Sequence, residues 1–304
     1  MSLKKLTLKK QVNKLEYNAK LKQYLDVIEK RLNATKQDYE CPQKELFDSI
    51  NYSLLAKGKR IRPIILLAAC EMAGGSVDDA VDFAVGLEMI HNSSLIHDDL
   101  PAMDNDDLRR GNPTNHIVYG EARAILAGDV LLVRPFEIMS GAVKTGKQLK
   151  AMRYIAKSAG SEGMMGGQEI DLKWEGKKAP EETIIILNQL KTGALFKAAV
   201  TAGVMIAGGT DEEIACAEKY GDLIGLAFQL VDDLLDLKPE ADTGKSKGSD
   251  LENGKSTYLS IYGEEKCREM IKKCTIDAKE ALSIFGERAS FLNKLAEELE
   301  ERVK

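Results

Sequence analysis

The chain has 304 residues, of which 44% are hydrophobic and 30% charged, and its formal net charge is −5. A chain of this length and composition can bury a large core. The net negative charge argues against nucleic acid as a partner, because phosphate backbones are bound through an excess of Lys and Arg. No linker rich in Pro, Gly or Ser divides the chain, so we expect one domain over residues 1–304.

The N-terminal region predicts a cytoplasmic, helical beginning. The segment MSLKKLTLKKQ contains lysines but no apolar run long enough for a signal peptide, so we expect a cytoplasmic location. Leu21, Leu25, Ile28 and Leu32 then recur at steps of three and four, which predicts a helix with one apolar face.

A basic cluster follows, made of Lys57, Lys59, Arg60 and Arg62. In a chain whose net charge is negative, an anionic substrate has to be attracted locally, by such a cluster or by metal ions. We therefore expect this segment to contribute to an anion site.

The first of two aspartate clusters lies in LIHDDLPAMDNDDLRRG, residues 95–111. Asp98 and Asp99 end a helical pattern, and Pro101 cannot continue that helix regularly. The break would let Asp104 turn back towards the pair. Taken alone, the acidic run at residues 104–107 would also fit a solvated helix face.

The middle of the chain contains two further predicted helices. The β-branched run Thr183–Ile186 follows Pro180 and two glutamates, which is typical of a helix N-terminus and argues against a strand. The apolar stretch at residues 194–209 is shorter than the roughly 20 residues that a membrane span requires, and it contains Lys197. We interpret it as a buried helix and expect no membrane span.

The second aspartate cluster, FQLVDDLLD at residues 228–236, contains Asp232, Asp233 and Asp236. Asp232 and Asp236 are four residues apart and so share one helix face, with Gln229 one turn earlier. The flanking residues are too apolar for a stripe on the protein surface. This cluster therefore predicts carboxylates on a largely buried, unbroken helix.

Together the two clusters predict a magnesium site. Burying several carboxylates is costly unless a cation compensates them. Mg²⁺ prefers oxygen ligands, and where protein carboxylates are few it is usually held jointly with substrate phosphates. An EF-hand does not fit, because Gly and Glu are missing from the sixth and twelfth positions of a loop starting at Asp104.

Helical periodicity continues to the end of the chain, and strand signals are nearly absent, so we predict an all-α fold of roughly a dozen helices. Five cysteines form no CxxC pair and are expected to be reduced thiols, and three histidines without ligand spacing do not fit a zinc site. The periodic apolar positions are Cys267, Met270, Cys274, Ala278, Ala281, Phe285, Leu292, Leu295 and Leu299.

With both clusters, the chain resembles the all-trans isoprenyl diphosphate synthases, the family of farnesyl and geranylgeranyl diphosphate synthases, over about residues 57–262. The resemblance implies a single large helical bundle around a central active-site cavity, and a homodimer. Its ordered markers are GKRIRP (58–63), EMIHNSSLIHDD (88–99), RRGNPTNH (109–116), GGQEIDL (166–172), KTGALF (191–196), GKSKGSD (244–250) and GKSTY (254–258).

The resemblance also implies a reaction. An allylic diphosphate (dimethylallyl, geranyl or, for the longer product, farnesyl) ionises, isopentenyl diphosphate attacks the cation, and loss of a proton gives farnesyl or geranylgeranyl diphosphate. Three Mg²⁺ would be held by Asp98, Asp99, Asp104, Asp232, Asp233 and Asp236. The residues implied to be catalytic are Asp98, Asp104, Lys191, Thr192, Gln229 and Asp232, of which Thr192 and Gln229 would face the carbocation.

Two separate diphosphate sites are implied in the same way. The resemblance assigns the allylic diphosphate to Arg109, Lys191 and Lys245, with Lys255 as a further cation. It assigns isopentenyl diphosphate to Lys59, Arg62, His91 and Arg110. Gln168 and Asp171 match family positions too, and we expect them to support the site. His97 and His116 are expected to be structural.

Product length depends, in this family, on the residues four and five places before the first aspartate. Here these are Ser94 and Ser93, and an aromatic residue at the latter position stops the product at C15 in many farnesyl synthases. Small residues should leave depth for another isoprene unit, but bulky residues on neighbouring helices could also close the pocket. C15 and C20 products both remain open.

Two other functions are weighed against this one. A class I terpene cyclase would share the fold and the first motif, but its second motif would carry Ser or Thr where this chain has Asp236. A non-catalytic subunit of a heteromeric synthase would be expected to lack one aspartate cluster or the pair Lys59 and Arg62, and this chain has them all.

Overall fold

The computed structural model describes the backbone of residues 3–236 and 257–303, with side chains from residue 14 onwards. The first half of this part contains α1 (Leu3–Ala34), α2 (Lys44–Leu54), α3 (Ile61–Met72), α4 (Val77–Asp98), α5 (Asn115–Tyr119), α6 (Glu121–Ala142) and α7 (Gly146–Ala159). The second half contains α8 (Met164–Trp174), α9 (Glu181–Asn188), α10 (Ala194–Ala207), α11 (Asp211–Asp236), α12 (Tyr258–Ala281) and α13 (Ser290–Glu301).

A short β-hairpin and two short helical turns complete the described secondary structure. Strands β1 (Leu108–Arg109) and β2 (Asn112–Pro113) pair antiparallel in a hairpin between α4 and α5. A π-helical turn, Gln189–Gly193, joins α9 to α10, and a 3-10 turn, Ser283–Ala289, precedes α13. The predicted all-α fold is confirmed.

The core is centred on α10, which packs against α3, α7 and α11, while α4 packs against α3 and α6. The run Glu181–Ala207 is the one described helical segment long and apolar enough to cross a membrane, but 61% of its most apolar window is buried inside the protein. The interpretation of residues 194–209 as a buried helix is thus confirmed for Ala194–Ala207.

The helix ends follow the local sequence. Ser76 caps α4 by accepting a hydrogen bond from the Asp78 amide (3.2 Å), and Thr257 and Ser260 form a capping box at the start of α12. Helix α9 begins directly after Pro180, as predicted from the residues around it. The apolar period from Cys267 onwards is interrupted when α12 ends at Ala281, although Phe285 in the following 3-10 turn is still buried.

A small second core lies beneath the end of α11. It joins that helix to α12 and to the end of the chain, and so sets the position of the second aspartate cluster. Its buried members are Leu230, Val231, Leu234, Tyr258, Cys267, Ile271 and Val303. All five cysteines are free, and three of them, Cys70, Cys267 and Cys274, are buried.

Candidate active site

A cavity of about 740 Å³ opens among α3, α4, the β1–β2 hairpin, α8, the π-helical turn and α11. Both aspartate clusters reach it, although they are more than a hundred residues apart in the chain. One wall is acidic, lined by Asp98, Asp104, Asp232 and Asp236. Another part, the basic corner, is lined by Lys57, Lys59, Arg62, His91 and Arg110.

The acidic wall begins where α4 ends. Asp98 is the last residue of that helix, and the Asp104 amide donates a hydrogen bond to the Asp98 carbonyl (2.8 Å) across the turn that contains Pro101. Asp98 and Asp104 consequently both line the cavity. The predicted return of the third carboxylate towards the pair is confirmed.

The middle aspartate of each cluster is buried and held by protein groups. Asp99 is 3% exposed and accepts a hydrogen bond from Arg109 Nε (2.6 Å). Asp233, also 3% exposed, accepts hydrogen bonds from Gln229 Nε2 (2.8 Å) and from the Tyr258 amide (3.0 Å). These bonds fix the orientation of both carboxylates, and Asp233 also lines the cavity.

Asp98 shows the electrostatic cost of the acidic wall. Burial, reinforced by the negative charges of Asp104 and Asp99, raises its pKa to about 6, against the opposing positive charge of Lys191. Gln168 donates Nε2 to Asp98, but the Gln168 Oε1 atom is buried with no hydrogen-bond partner. A buried orphan acceptor beside crowded carboxylates fits a site for a hydrated divalent cation.

The donor set fits Mg²⁺ in particular, because it consists of carboxylate oxygens. Within residues 3–236 and 257–303, no three acidic, His or Cys side chains lie close enough together to hold a metal ion by themselves.

The π-helical turn presents the other predicted catalytic residues. Lys191 Nζ donates to Asp171 (2.5 Å), and Thr192 Oγ1 donates to Gln229 Oε1 (2.9 Å). Gln168 and Asp171, expected only to support the site, thus contact Asp98 and Lys191 directly. π-Helical turns inside longer helices are frequent at functional sites.

Two glycines allow this turn to fit between its neighbours. A Cβ atom on Gly167 would lie 2.2 Å from the Lys191 backbone nitrogen, and one on Gly225 would lie 2.8 Å from the Gly193 Cα atom. Helices α8 and α11 therefore approach the backbone of the turn closely from two sides. The sequence contains no local signal that would have identified Gly225.

In the basic corner, Arg60 and Arg62 point to different partners. Arg60 has a left-handed backbone (φ 48°), and its buried guanidinium pairs with Glu29 (2.8 Å) and Glu88 (2.9 Å). Because those carboxylates neutralise it, Arg60 fixes the loop before α3 and contributes less to an anion site than its neighbours. Glu88, which also lines the cavity, was missed in the sequence, although a glutamate in the apolar run of α4 could have been noticed.

Arg62 is prepared for an anion. Its guanidinium carbon lies 4.4 Å from the centre of the Phe196 ring, burial lowers its pKa to about 10, and its Nε atom is buried without a hydrogen-bond partner. Arg62 Nη1 donates to His91 Nε2 (3.4 Å), and a guanidinium has no acceptor, so that imidazole nitrogen must be unprotonated. Burial and the charge of Arg62 hold the His91 pKa well below its usual range, which agrees with a neutral imidazole.

The β1–β2 hairpin contacts both the acidic wall and the basic corner. Arg109 bonds to Asp99 on the acidic side, whereas Arg110 Nη1 donates to the Lys57 carbonyl (3.2 Å) on the basic side. Arg110 and Gly111 both have positive φ (54° and 78°), as the central residues of a two-residue type I′ turn do. Only one of these two is a glycine, so Arg110 occupies a strained conformation.

The remaining predicted residues are placed as follows. Ser94 lines the cavity, whereas Ser93 is 2% exposed and lies outside the lining. Lys245 and Lys255 fall outside the described residues. His116 is buried against Thr114, and His97 contacts the Ile125 carbonyl (3.2 Å), in agreement with structural roles. Arg302, near the end of α13, also lines the cavity and had no signal in the sequence.

Comparisons with known proteins agree on one family. The family model described as polyprenyl synthetase matches residues 43–286. A geranylgeranyl diphosphate synthase of Cyanophora paradoxa is 47% identical over 257 residues, covering 83% of this chain and 86% of that protein. The chloroplastic geranylgeranyl pyrophosphate synthase 9 of Arabidopsis thaliana is 47% identical and covers 77% of this chain and 68% of its own length. A crystal structure of an FPP/GFPP synthase from Zymomonas mobilis superimposes with a TM-score of 0.85 at 34% identity, covering 94% of this chain and 99% of that one.

Proposed function

This chain belongs to the polyprenyl synthetase family, and we propose that it condenses isopentenyl diphosphate with allylic diphosphates to give farnesyl and geranylgeranyl diphosphate. The observation that carries the proposal is that an acidic wall and a basic corner line one cavity. Two anionic substrates can then bind side by side, one through metal ions and the other through protein cations.

The allylic diphosphate binds at the acidic wall. Asp98 and Asp104 from the first cluster, and Asp232 and Asp236 from the second, would hold the three Mg²⁺. When bound, these ions supply positive charge that stabilises the departing diphosphate. Lys191, oriented by Asp171, and Arg109 add protein cations where that negative charge accumulates.

Isopentenyl diphosphate binds in the basic corner. Arg62, Arg110 and Lys59 line this part of the cavity, and the buried Nε of Arg62 has no hydrogen-bond partner. Arginine suits bidentate recognition of phosphate, and stacking on Phe196 holds the Arg62 plane in one orientation. Neutral His91 contributes through its position and not through charge.

The carbon–carbon bond forms between these two sites. Ionisation breaks the allylic C–O bond, the C4 double bond of isopentenyl diphosphate attacks the resulting cation, and loss of a proton restores a double bond. The hydrogen-bonded oxygens of Thr192 and Gln229 stabilise the cation by their dipoles without acting as nucleophiles. The released diphosphate takes the proton.

A C20 share of the product is part of the proposal. Ser94 leaves the α4 side of the cavity unobstructed by an aromatic ring, and the relatives from Cyanophora and Arabidopsis are named geranylgeranyl diphosphate synthases. The Zymomonas structure is named as an FPP/GFPP synthase, which supports variable length within one fold.

The assembly we propose is a cytoplasmic homodimer of one-domain chains. Large apolar side chains are exposed along α5 and α6, and a second copy of the chain would cover them. They are Ile117, Val118, Ile125, Leu126 and Val133. The five free cysteines agree with a reducing compartment.

Product chromatography tests the proposal. The purified protein is incubated with Mg²⁺, isopentenyl diphosphate and, separately, the C5, C10 and C15 allylic diphosphates, with a chelator control. We expect products longer by C5 units that depend on both substrates and on Mg²⁺. Hydrocarbon release from an allylic diphosphate alone would favour a cyclase, and no product in any reaction would favour a non-catalytic subunit.

A further inference from the structure

A buried polar cluster ties the β1–β2 hairpin to α2. Asn115, at the start of α5, is 2% exposed; its Oδ1 accepts from Ser49 Oγ (2.8 Å) and its Nδ2 donates to the Ser49 carbonyl (2.9 Å) and to Ser53 Oγ (2.8 Å). Ser49 itself is fully buried. Buried polar groups are costly unless satisfied, and these bonds are directional, so the cluster fixes one arrangement of the two segments.

Helix α2 is the common support of both parts of the basic corner. The loop after α2 carries Lys57 and Lys59, and the hairpin that carries Arg110 returns to α2 through Asn115. Tyr52, also on α2, donates a second bond to the Pro113 carbonyl (2.7 Å). The distance between Arg110 and the lysine-bearing loop therefore depends on how the hairpin is fastened to this helix.

The position of the Arg110 side chain is tightly constrained by its neighbours. Its guanidinium lies directly over Gly58, where an added Cβ atom would be 2.6 Å from Nη1. Burial lowers the pKa of Arg110, and the charges of Arg60 and Arg109 add to that effect while Glu88 opposes it. The left-handed backbone at residue 110 is strained, and the cluster holds the hairpin in that conformation.

We propose that Asn115 is a positioning residue for the condensation reaction. Through Ser49 and Ser53 it holds the hairpin so that Arg110 meets the diphosphate of isopentenyl diphosphate together with Arg62. This inference rests on the proposed function, because Arg110 must be a contact of that substrate.

The test compares Asn115→Ala with a matched control, Thr275→Val. Thr275 is also buried and donates hydrogen bonds within the α12–α13 region, away from the cavity. We expect Asn115→Ala to raise the KM for isopentenyl diphosphate about 10-fold, with kcat and the allylic KM changed by less than about 2-fold. Thr275→Val should lower thermal stability without changing either KM.

If Asn115→Ala does not fold, Ser49→Ala and Tyr52→Phe can be measured in its place. Each removes one hydrogen bond and should raise the KM for isopentenyl diphosphate by a smaller factor.

A double-mutant cycle separates failure of this inference from failure of the function. Arg110→Ala alone should raise the KM for isopentenyl diphosphate, and adding Asn115→Ala should then have almost no further effect. Additive effects, or an unchanged KM in Asn115→Ala beside a raised one in Arg110→Ala, would overturn the positioning role and leave the proposed function intact. An unchanged KM in Arg110→Ala itself would overturn the assignment of Arg110, and the inference with it.

Discussion

The acidic wall and the basic corner of the cavity concentrate charge by different structural means. The acidic wall takes Asp98 from the end of α4, Asp104 from the turn that follows it, and Asp232 and Asp236 from α11. The basic corner takes Arg62 and His91 from α3 and α4, but Lys57, Lys59 and Arg110 from a loop and a hairpin, with a left-handed backbone at Arg110. Residues on helices hold a geometry more precisely than residues on loops. The comparison indicates that the loop and hairpin of the basic corner depend on tertiary contacts, such as those of Asn115, to hold their position, whereas most of the acidic side chains are held by their own helices.

The largest effect should come from breaking the acidic wall. Asp98→Ala and Asp232→Ala should each lower kcat roughly 1000-fold or more, because neither cluster alone can neutralise the leaving diphosphate. Steady-state turnover at saturating Mg²⁺ measures this. Asp222→Ala is a matched control on α11, since Asp222 is exposed and pairs with Lys197 outside the cavity. Near-normal turnover in either cluster variant would mean that the two-cluster site is wrong.

The next largest effect should distinguish the acidic wall from the basic corner by which substrate's kinetics each variant changes. Arg110→Ala and His91→Ala should raise the KM for isopentenyl diphosphate, by about 10- to 100-fold for the arginine, since charged hydrogen bonds contribute about 1.5–3 kcal/mol. Lys191→Ala should instead impair use of the allylic substrate. Lys197→Ala, six residues further along the chain and outside the cavity, is the control. Equal effects of all three variants on both substrates would contradict the division of the cavity.

Product length should respond more modestly. Ser94→Tyr and Ser93→Tyr place an aromatic ring on α4 and should shift the product distribution from C20 towards C15, with the larger shift expected for Ser94 because it lines the cavity. Ser93 is buried, so its variant also risks overpacking of about 1–3 kcal/mol. Chromatography is therefore paired with thermal melts. Two stable variants with unchanged products would place the limit of chain growth on another helix.

The smallest effect concerns pH and His91. The pKa of His91 in the folded protein lies well below its unfolded value of 6.5. At pH values between these two pKa values, the unfolded state therefore binds more protons than the folded state. Stability from neutral His91 is full above about pH 6.5 and declines as the pH falls below it. Between pH 7.5 and 5.5, wild type should lose about 2–4 °C more in Tm than His91→Gln. Identical losses would show that the basic corner does not suppress protonation of this imidazole.

Local patterns in the sequence predicted much of this site. Pro101 after the paired aspartates predicted the turn that returns Asp104, and the four-residue spacing of Asp232 and Asp236 predicted their common face. These features depend on backbone geometry within a few residues, which the sequence specifies directly.

What sequence alone did not predict depends on distant partners. Asp99 is held by Arg109, and Asp233 by the Tyr258 amide, and both partners come from outside the helix concerned. Arg60 lines the cavity, but Glu88, from another helix, neutralises its charge. Hydrogen bonds and ion pairs between segments far apart in the chain produce no local pattern in the sequence, so they could not be predicted from it.

The π-helical turn at Gln189–Gly193 has a consequence for how the chain can change in length. A π turn contains about one residue more than an α turn, and each helical residue accounts for about 100° of rotation. Deleting one residue there would regularise the helix and rotate Lys191 relative to the buried face of α10. Single-residue insertions and deletions between Asn188 and Ala194 should therefore abolish activity, whereas the exposed loop before α9 should tolerate them.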